Sequence, residues 1–354
     1  ELWQRVQREL VEDEPATTPD LLERGFGIAL LERALIDAMC RHAGAGFAEA
    51  RRSGLLGREF DWPATRPRQR IAVRHTVGRL DPLRSSDIAP AERVADGMPQ
   101  ALDEVLEQHG VRWLKVKIGG GLTDDVARLV EIGLLLGELG RDDVRVTLDG
   151  NEQFADFEEL DRLWVETAAN PHGEGLLRRV LWVEQPLPRA RSLGDGAARW
   201  QRCPLVLDEA DAQRRTFEQS GCDGVSVKNC KGVFRALLNA ELASKQPGRF
   251  QSSEDLTNLP VLSVQQDLVT AAVLELPHSE RNGHHYFPGL DHLPPAVVEA
   301  ALAAHGDLYV ATDSGAKLRI EGGEIAIGSL FGTGYGCDQS VVDALDRALD
   351  WRPA

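Results

Sequence analysis

The stretch Val111 to Gly121, VRWLKVKIGGG, decides how the rest of the chain is read. It is short and β-prone, and three glycines end it. Side chains alternate along a strand, so Lys115 and Lys117 share a face. Two amines on one otherwise apolar strand disfavour each other's charge, and burial disfavours both, so either amine is a candidate base near neutral pH. The plain alternative is an edge strand whose lysines are solvated and block aggregation. Lysine usage argues for chemistry. Of 40 Lys and Arg only six are Lys, namely Lys115, Lys117, Lys228, Lys231, Lys245 and Lys317. Four of these fall in two strand-like segments, and Lys can shift its pKa where Arg cannot.

Around that stretch a rhythm is visible. Apolar runs at Ile71–Val77, Trp113–Ile118, Val144–Asp149, Val180–Glu184, Pro204–Asp208 and Gly224–Lys228, with a shorter run before Glu254, read as strands; an eighth is expected within Ala271 to Pro277. Amphipathic stretches lie between them: one opening at Thr123, then Phe154–Thr167, Ala212–Ser220, Val233–Ser244 and Pro294–His305. Strand alternating with helix means parallel strands and crossovers, and eight repeats predict a closed (β/α)8 TIM barrel of the α/β class. An open doubly wound sheet is the alternative, disfavoured because no GxGxxG or phosphate loop follows a strand. Residues 1 to about 50 read as helical and 51–70 as an Arg-rich connection. The expected division is a partial capping domain over 1–70, a barrel over 71–305, and a Gly-rich tail over 306–354 that returns to the cap.

Composition sets limits. The chain has 354 residues, 42% of them hydrophobic, which suits a barrel plus a smaller domain. A net charge of −16 argues against nucleic acid as the main partner, and solubility is its simplest reading. No apolar run is long enough to cross a membrane. Five scattered cysteines without a CxxC spacing suggest neither zinc nor a disulfide framework. With no signal-peptide pattern after Glu1, a cytoplasmic location is expected.

The ends of the strands carry the chemistry. The third ends VTLDGN (Asp149, Asn151), the fourth WVEQP (Glu184), the fifth LVLDEA (Asp208, Glu209) and the sixth VSVKNCKG (Lys228, Lys231). In a parallel barrel the C-terminal strand ends converge on the face that holds active sites. Each carboxylate alone could be an ordinary loop-starting residue. Three on consecutive strands repel unless a cation neutralises them, and all-oxygen ligation suits Mg2+ or Mn2+. Glu209 is expected to face away from Asp208.

The ordered set KxK, DxN, EQP, DE, KxxK resembles the enolase superfamily, and within it the muconate lactonizing enzyme-like subgroup of the mandelate racemase/muconate lactonizing enzyme family. The resemblance implies Mg2+ on Asp149, Glu184 and Asp208, with Lys117 and Lys228 as acid/bases on opposite faces of a small carboxylate substrate. It implies that Lys115 lowers the pKa of Lys117 and contacts the substrate carboxylate, with Asn151, Lys231 and Glu254 (or Asp255) also at the substrate. The implied reaction removes a proton α to the carboxylate through an enediolate, leading to racemisation or epimerisation, cycloisomerisation or syn-elimination. A homo-oligomer is expected by resemblance, and no nucleic acid or membrane partner. Gly334 to Gly336, GYG, resembles the family's GLG element. Three departures stand out. Lys231-Gly232-Val233 replaces the usual KxGG, the stretch after QSSED is no close match, and the family's N-terminal three-stranded sheet, whose loops choose the substrate, has no counterpart from Glu1 on. His284 and His285, in RNGHHYFPG, are the one paired set of histidines and are candidates for substrate contact. An acid-sugar dehydratase would want one of them. The other alternative is a barrel that binds a ligand and no longer catalyses. His75, Trp113 and Trp182 read as packing residues.

Overall fold

The computed structural model describes residues 2–7, 9, 21–60, 66–189, 191, 200–211, 216–254, 258–281, 289–313 and 315–348. Eight parallel strands close on themselves: β1 (Arg70–Val77), β2 (Trp113–Lys117), β3 (Arg145–Asp149), β4 (Val180–Glu184), β5 (Leu205–Leu207), β6 (Gly224–Val227), β7 (Phe250–Ser253) and β8 (His278–Arg281), with β8 pairing back to β1. Helices lie in crossovers such as β2 to β3 (Leu122–Glu138), β6 to β7 (Val233–Lys245) and β7 to β8 (Leu262–Val273). Outward residues such as Leu114, Val116, Val146 and Val183 are fully buried in the shared core. The fold is the expected barrel.

The eighth strand is not where the apolar run placed it. Ala271–Val273 ends the helix Leu262–Val273, and β8 begins at His278. The strand reads HSER because its inward side chains, His278 and Glu280, are polar, so no apolar run marks it. Two short helices, Leu102–Gln108 and Pro171–Leu177, also went unpredicted.

The helix Leu122–Glu138 meets the helix Pro171–Leu177 at close range. A Cβ at Gly133 would lie 2.2 Å from the carbonyl oxygen of His172. Gly133→Ala is therefore expected to destabilise the fold by about 1–3 kcal/mol through overpacking. A lower denaturant midpoint at unchanged slope is the check.

Beyond the barrel, β9 (Tyr309–Thr312) and β10 (Gly315–Leu318) pair antiparallel, and β11 (Glu324–Ala326) pairs antiparallel with β1. The following segment reaches the N-terminal helices. Phe47 N donates to Gly334 O at 3.1 Å, Tyr335 N donates to Asp37 Oδ1 at 2.7 Å, and the Phe47 and Tyr335 rings lie 4.5 Å apart. No described helix is long and apolar enough to cross a membrane.

Candidate active site

Inward positions along the strands build the site in layers. Low in the barrel, Trp113, Trp182, Phe250 and His278 pack together, with ring centroids 4.1 Å apart for Trp113–His278 and 5.3 Å for Trp182–Phe250. Trp182 is core as expected. His75 is buried too, and burial pushes its pKa down to about 3.

Above the rings the barrel is filled with charge, where most such barrels carry Val, Ile and Leu. Lys115 is 1% exposed, and its Nζ lies 2.9 Å from Asp149, 2.9 Å from Glu184, 2.5 Å from Glu254 and 3.1 Å from Glu280. Arg74 pairs with Glu254 and donates to Ser252 Oγ at 2.8 Å. Burial opposes the charge on Lys115, but its four carboxylates outweigh that and hold the amine well above the ordinary lysine value. Glu254 falls well below the usual range, because Arg74 and Lys115 outweigh its burial. Glu184 goes the other way: burial, then the charge of Glu254, raises it well above.

Lys115 and Glu254 are thus the buried floor of the site, 1% and 2% exposed. Inward residues 113, 115 and 117 climb the barrel in two-residue steps, and only Lys117 stands at the mouth, its side chain 26% exposed. Lys117 Nζ donates to Asp149 Oδ2 at 2.6 Å and to Asn151 Oδ1 at 2.8 Å. Asn151 sits in a left-handed turn (φ 41°), and its N–H caps Asp149 Oδ1 at 3.0 Å. Asn151 therefore orients Lys117 and Asp149. Gly150 permits the turn, since a Cβ there would lie 2.6 Å from Pro186 Cα.

Across the ring, Lys228 follows β6, four strands from β2. Its Nζ pairs with Asp208. Burial opposes the ammonium, but Asp208 outweighs it and raises the pKa; the same pair, with Lys231, holds Asp208 below the carboxylate range against its burial. Lys228 is thus held charged here, not poised as a neutral base. Lys231 is 7% exposed and donates to Ser226 O at 2.9 Å, Ser226 Oγ at 2.8 Å and Asp208 O at 3.1 Å. It clamps the end of β5 from beneath. Gln185, beside Glu184, accepts from Asp208 N at 3.0 Å and Ala210 N at 3.1 Å.

Glu209 was expected on the far face. It instead accepts from Asn151 Nδ2 at 3.3 Å at the mouth, and burial followed by the charge of Asp208 raises its pKa. Alternation applies only to extended chain, and β5 stops at Leu207 before a turn closed by Asp211 N to Asp208 O at 3.0 Å. His284, His285 and Asp255 lie outside the described residues.

Sequence reading missed Arg74, Gln185, His278 and Glu280. Arg74 had a signal, as a charged residue at an inward position within IAVRHTV.

Asp149, Glu184 and Asp208 are 0%, 0% and 1% exposed; burial opposes the charge on Asp149, but Lys115 and Lys117 outweigh it and hold its pKa below the ordinary carboxylate value. With oxygens engaged by Lys115, Lys117 and Lys228, no group of three His, Cys, Asp or Glu among the described residues is disposed to hold a metal. The donor chemistry nevertheless fits a hard divalent ion. All donors are oxygen, and Glu184 Oε2 and Glu209 Oε2 are buried without a hydrogen-bond partner among the described residues. A cavity of about 610 Å3 lies elsewhere, between the N-terminal helices and the helix Val233–Lys245, lined mostly by apolar side chains.

No family model matches the chain, and no curated protein sequence matches it. Solved structures do. The 3,6-anhydro-D-galactonate cycloisomerase from Zobellia galactanivorans is 18% identical over 99% of this chain and 81% of that one, with a TM-score of 0.61. Muconate lactonizing enzyme from Pseudomonas putida is 17% identical over 98% and 79%, at 0.59. An enolase from Bradyrhizobium complexed with magnesium and mandelic acid is 19% identical over 92% and 72%, at 0.55. The likeness is one of fold: this chain shares the closed (β/α)8 barrel of these structures.

Proposed function

We propose that the chain is a Mg2+-dependent isomerase or lyase that removes a proton α to a substrate carboxylate. The observation that carries this is the pair Lys117 and Lys228, which end strands on opposite sides of the ring, each seated on a carboxylate at the mouth. Asp149, Glu184 and Asp208 would hold the cation. When bound, it supplies stabilisation of the negative charge that develops on the substrate carboxylate. Lys117 takes or returns a proton at one face of the α-carbon, and Lys228 at the other. Asn151 orients Lys117. Lys231 and Gln185 fix Asp208, and so Lys228. Racemisation, epimerisation, cycloisomerisation and elimination all start from this proton transfer.

The test is a library of carboxylates in D2O with Mg2+, followed for α-proton exchange, which reports the step even without net turnover. No exchange with any member sinks the reading. A second reading, a barrel that binds without catalysis, is favoured by one observation: ammonium groups already neutralise the carboxylates. Absence of Mg2+ binding would select it.

Metal affinity carries its own expectation. Lys228 is held protonated by Asp208, so cation binding there weakens its hold on the proton. Mg2+ affinity should therefore rise with pH, with proton release on binding. Calorimetry in buffers of differing ionisation enthalpy measures both, and a pH-independent affinity would contradict the assignment.

A further inference from the structure

The turn after β3 holds two consecutive non-glycine residues in the left-handed region, Asn151 (φ 41°) and Glu152 (φ 65°). Such a turn persists only where its surroundings hold it. Glu152 N donates to Gln185 O at 2.8 Å and Phe154 N to Pro186 O at 3.0 Å, and Arg189 Nη2 closes on Glu152 Oε2 at 2.6 Å. The backbone of Asn151 is therefore fixed at the mouth. What the backbone leaves open is the side-chain amide. A half-turn about its last torsion exchanges Oδ1 and Nδ2 with almost no change in shape, so packing does not choose between the two orientations.

Its hydrogen-bond partners do choose. Asn151 Oδ1 accepts from Lys117 Nζ at 2.8 Å, and Nδ2 donates to Glu209 Oε1 at 3.3 Å. While Lys117 is an ammonium it only donates, so both contacts favour this orientation. A base must be neutral, and a neutral amine carries a lone pair beside its two hydrogens. It can then accept from the Nδ2 of a turned amide, and its lone pair is spent. Taking the α-proton breaks a C–H bond, leaves that electron pair on the substrate and forms an N–H bond with the lone pair of Lys117, so a spent lone pair stops the step. Glu209 has no donor and holds Nδ2 whatever the state of Lys117. The two hydrogens of the neutral amine then go to Asn151 Oδ1 and to Asp149 Oδ2, 2.6 Å from Nζ, and the lone pair is left in the remaining direction, away from both.

We propose that Glu209 is a positioning residue that acts through Asn151: by holding Nδ2 it keeps the amide oxygen on Lys117 and the lone pair of the neutral amine free for the α-proton. This rests on the proton-transfer reading of the mouth. Lys228 is seated on Asp208 across the ring and lies outside this hydrogen-bonded chain, so the effect of Glu209 is confined to the face that Lys117 serves.

The experiment follows α-proton exchange in D2O by the full chain at saturating Mg2+, on the two enantiomers of the carboxylate that exchanges fastest, so that each face is read separately. Glu209→Leu is expected to slow exchange about tenfold or more at the Lys117 face, the effect of one lost hydrogen bond, and to leave the Lys228 face within about twofold. Glu209→Gln keeps an acceptor oxygen and should stay within about threefold at both faces. In an Asn151→Ala background, Glu209→Leu should add less than about twofold, because a residue that acts through Asn151 has nothing left to act on. If Glu209→Leu does not fold, Glu209→Ala removes the acceptor without adding bulk and takes its place. A second readout needs no substrate. The side-chain amide protons of Asn151, identified in the NMR spectrum by their loss in Asn151→Ala, should exchange with solvent about tenfold faster without Glu209. Equal losses at both faces, a loss in Glu209→Gln as large as in Glu209→Leu, or losses that multiply in the double variant would each overturn the proposal. Absence of exchange on any carboxylate fails the proton-transfer reading instead. The amide protons then decide the hold of Glu209 on Asn151 by themselves, and an unchanged exchange rate there overturns it.

Discussion

Lys115→Met is expected to cost about 3–5 kcal/mol of folding stability, although methionine nearly matches the lysine in volume. The ammonium of Lys115 is in contact with Asp149, Glu184, Glu254 and Glu280, all buried. Removing it takes away the cation shared by four carboxylates, leaving Arg74 on Glu254 and Lys117 on Asp149. The sign of the pH dependence separates this from a packing defect. In the natural protein the folded-state pKa of Lys115 is raised, so its contribution is complete below the ordinary lysine value and persists through the neutral range. In the variant the carboxylates lose that cation, and their folded-state pKa values rise above the unfolded ones. They destabilise the fold once pH exceeds about 4, and more as it rises. The deficit should therefore be largest at neutral pH and shrink as pH falls toward about 4. Denaturant titrations at several pH values measure it, and a deficit that is small or independent of pH would show that the cluster does not hold the barrel together.

Lys117→Arg is expected to lower α-proton exchange by about 10^2 to 10^4-fold while the fold and Mg2+ binding survive. Arginine keeps the positive charge beside Asp149 but cannot give up its proton in the working range. It can still hydrogen-bond Asp149 and Asn151, the two partners of Lys117. The loss then reports the missing base. Lys228→Ala should abolish reaction from one face only, because Lys228 stands across the ring on Asp208. A substrate pair of opposite configuration, each followed for exchange in D2O, reads the two faces separately. Full activity in Lys117→Arg would remove the two-lysine mechanism. A loss of both faces in Lys228→Ala would mean that it also holds Asp208 in place.

The sequence by itself determined the barrel and the roster of groups at its mouth. Strands with both faces buried read as apolar runs, and seven of the eight were placed this way, Val180–Glu184 to the residue. Strand-end carboxylates and lysines are visible because parallel strands deliver their ends to one face, so Asp149, Glu184, Asp208, Lys117 and Lys228 could be assembled from order alone. What it could not supply was depth and partnership. Lys115 and Lys117 look equivalent in WLKVK, yet a two-residue step down the barrel makes one the buried hub of four carboxylates and leaves the other at the mouth. Lys228 and Lys231 look like a pair, yet a short helical turn sends one to the mouth and the other beneath β5. β8 was misplaced because its inward positions carry His278 and Glu280, charged and polar groups that only make sense once Arg74 and Lys115 are seen across the barrel. Hydrophobic periodicity records which face of an element is buried. It does not record which charges meet inside a closed ring, because those contacts join residues as far apart in the chain as Arg74 and Glu254, and only closure of β8 onto β1 brings them together.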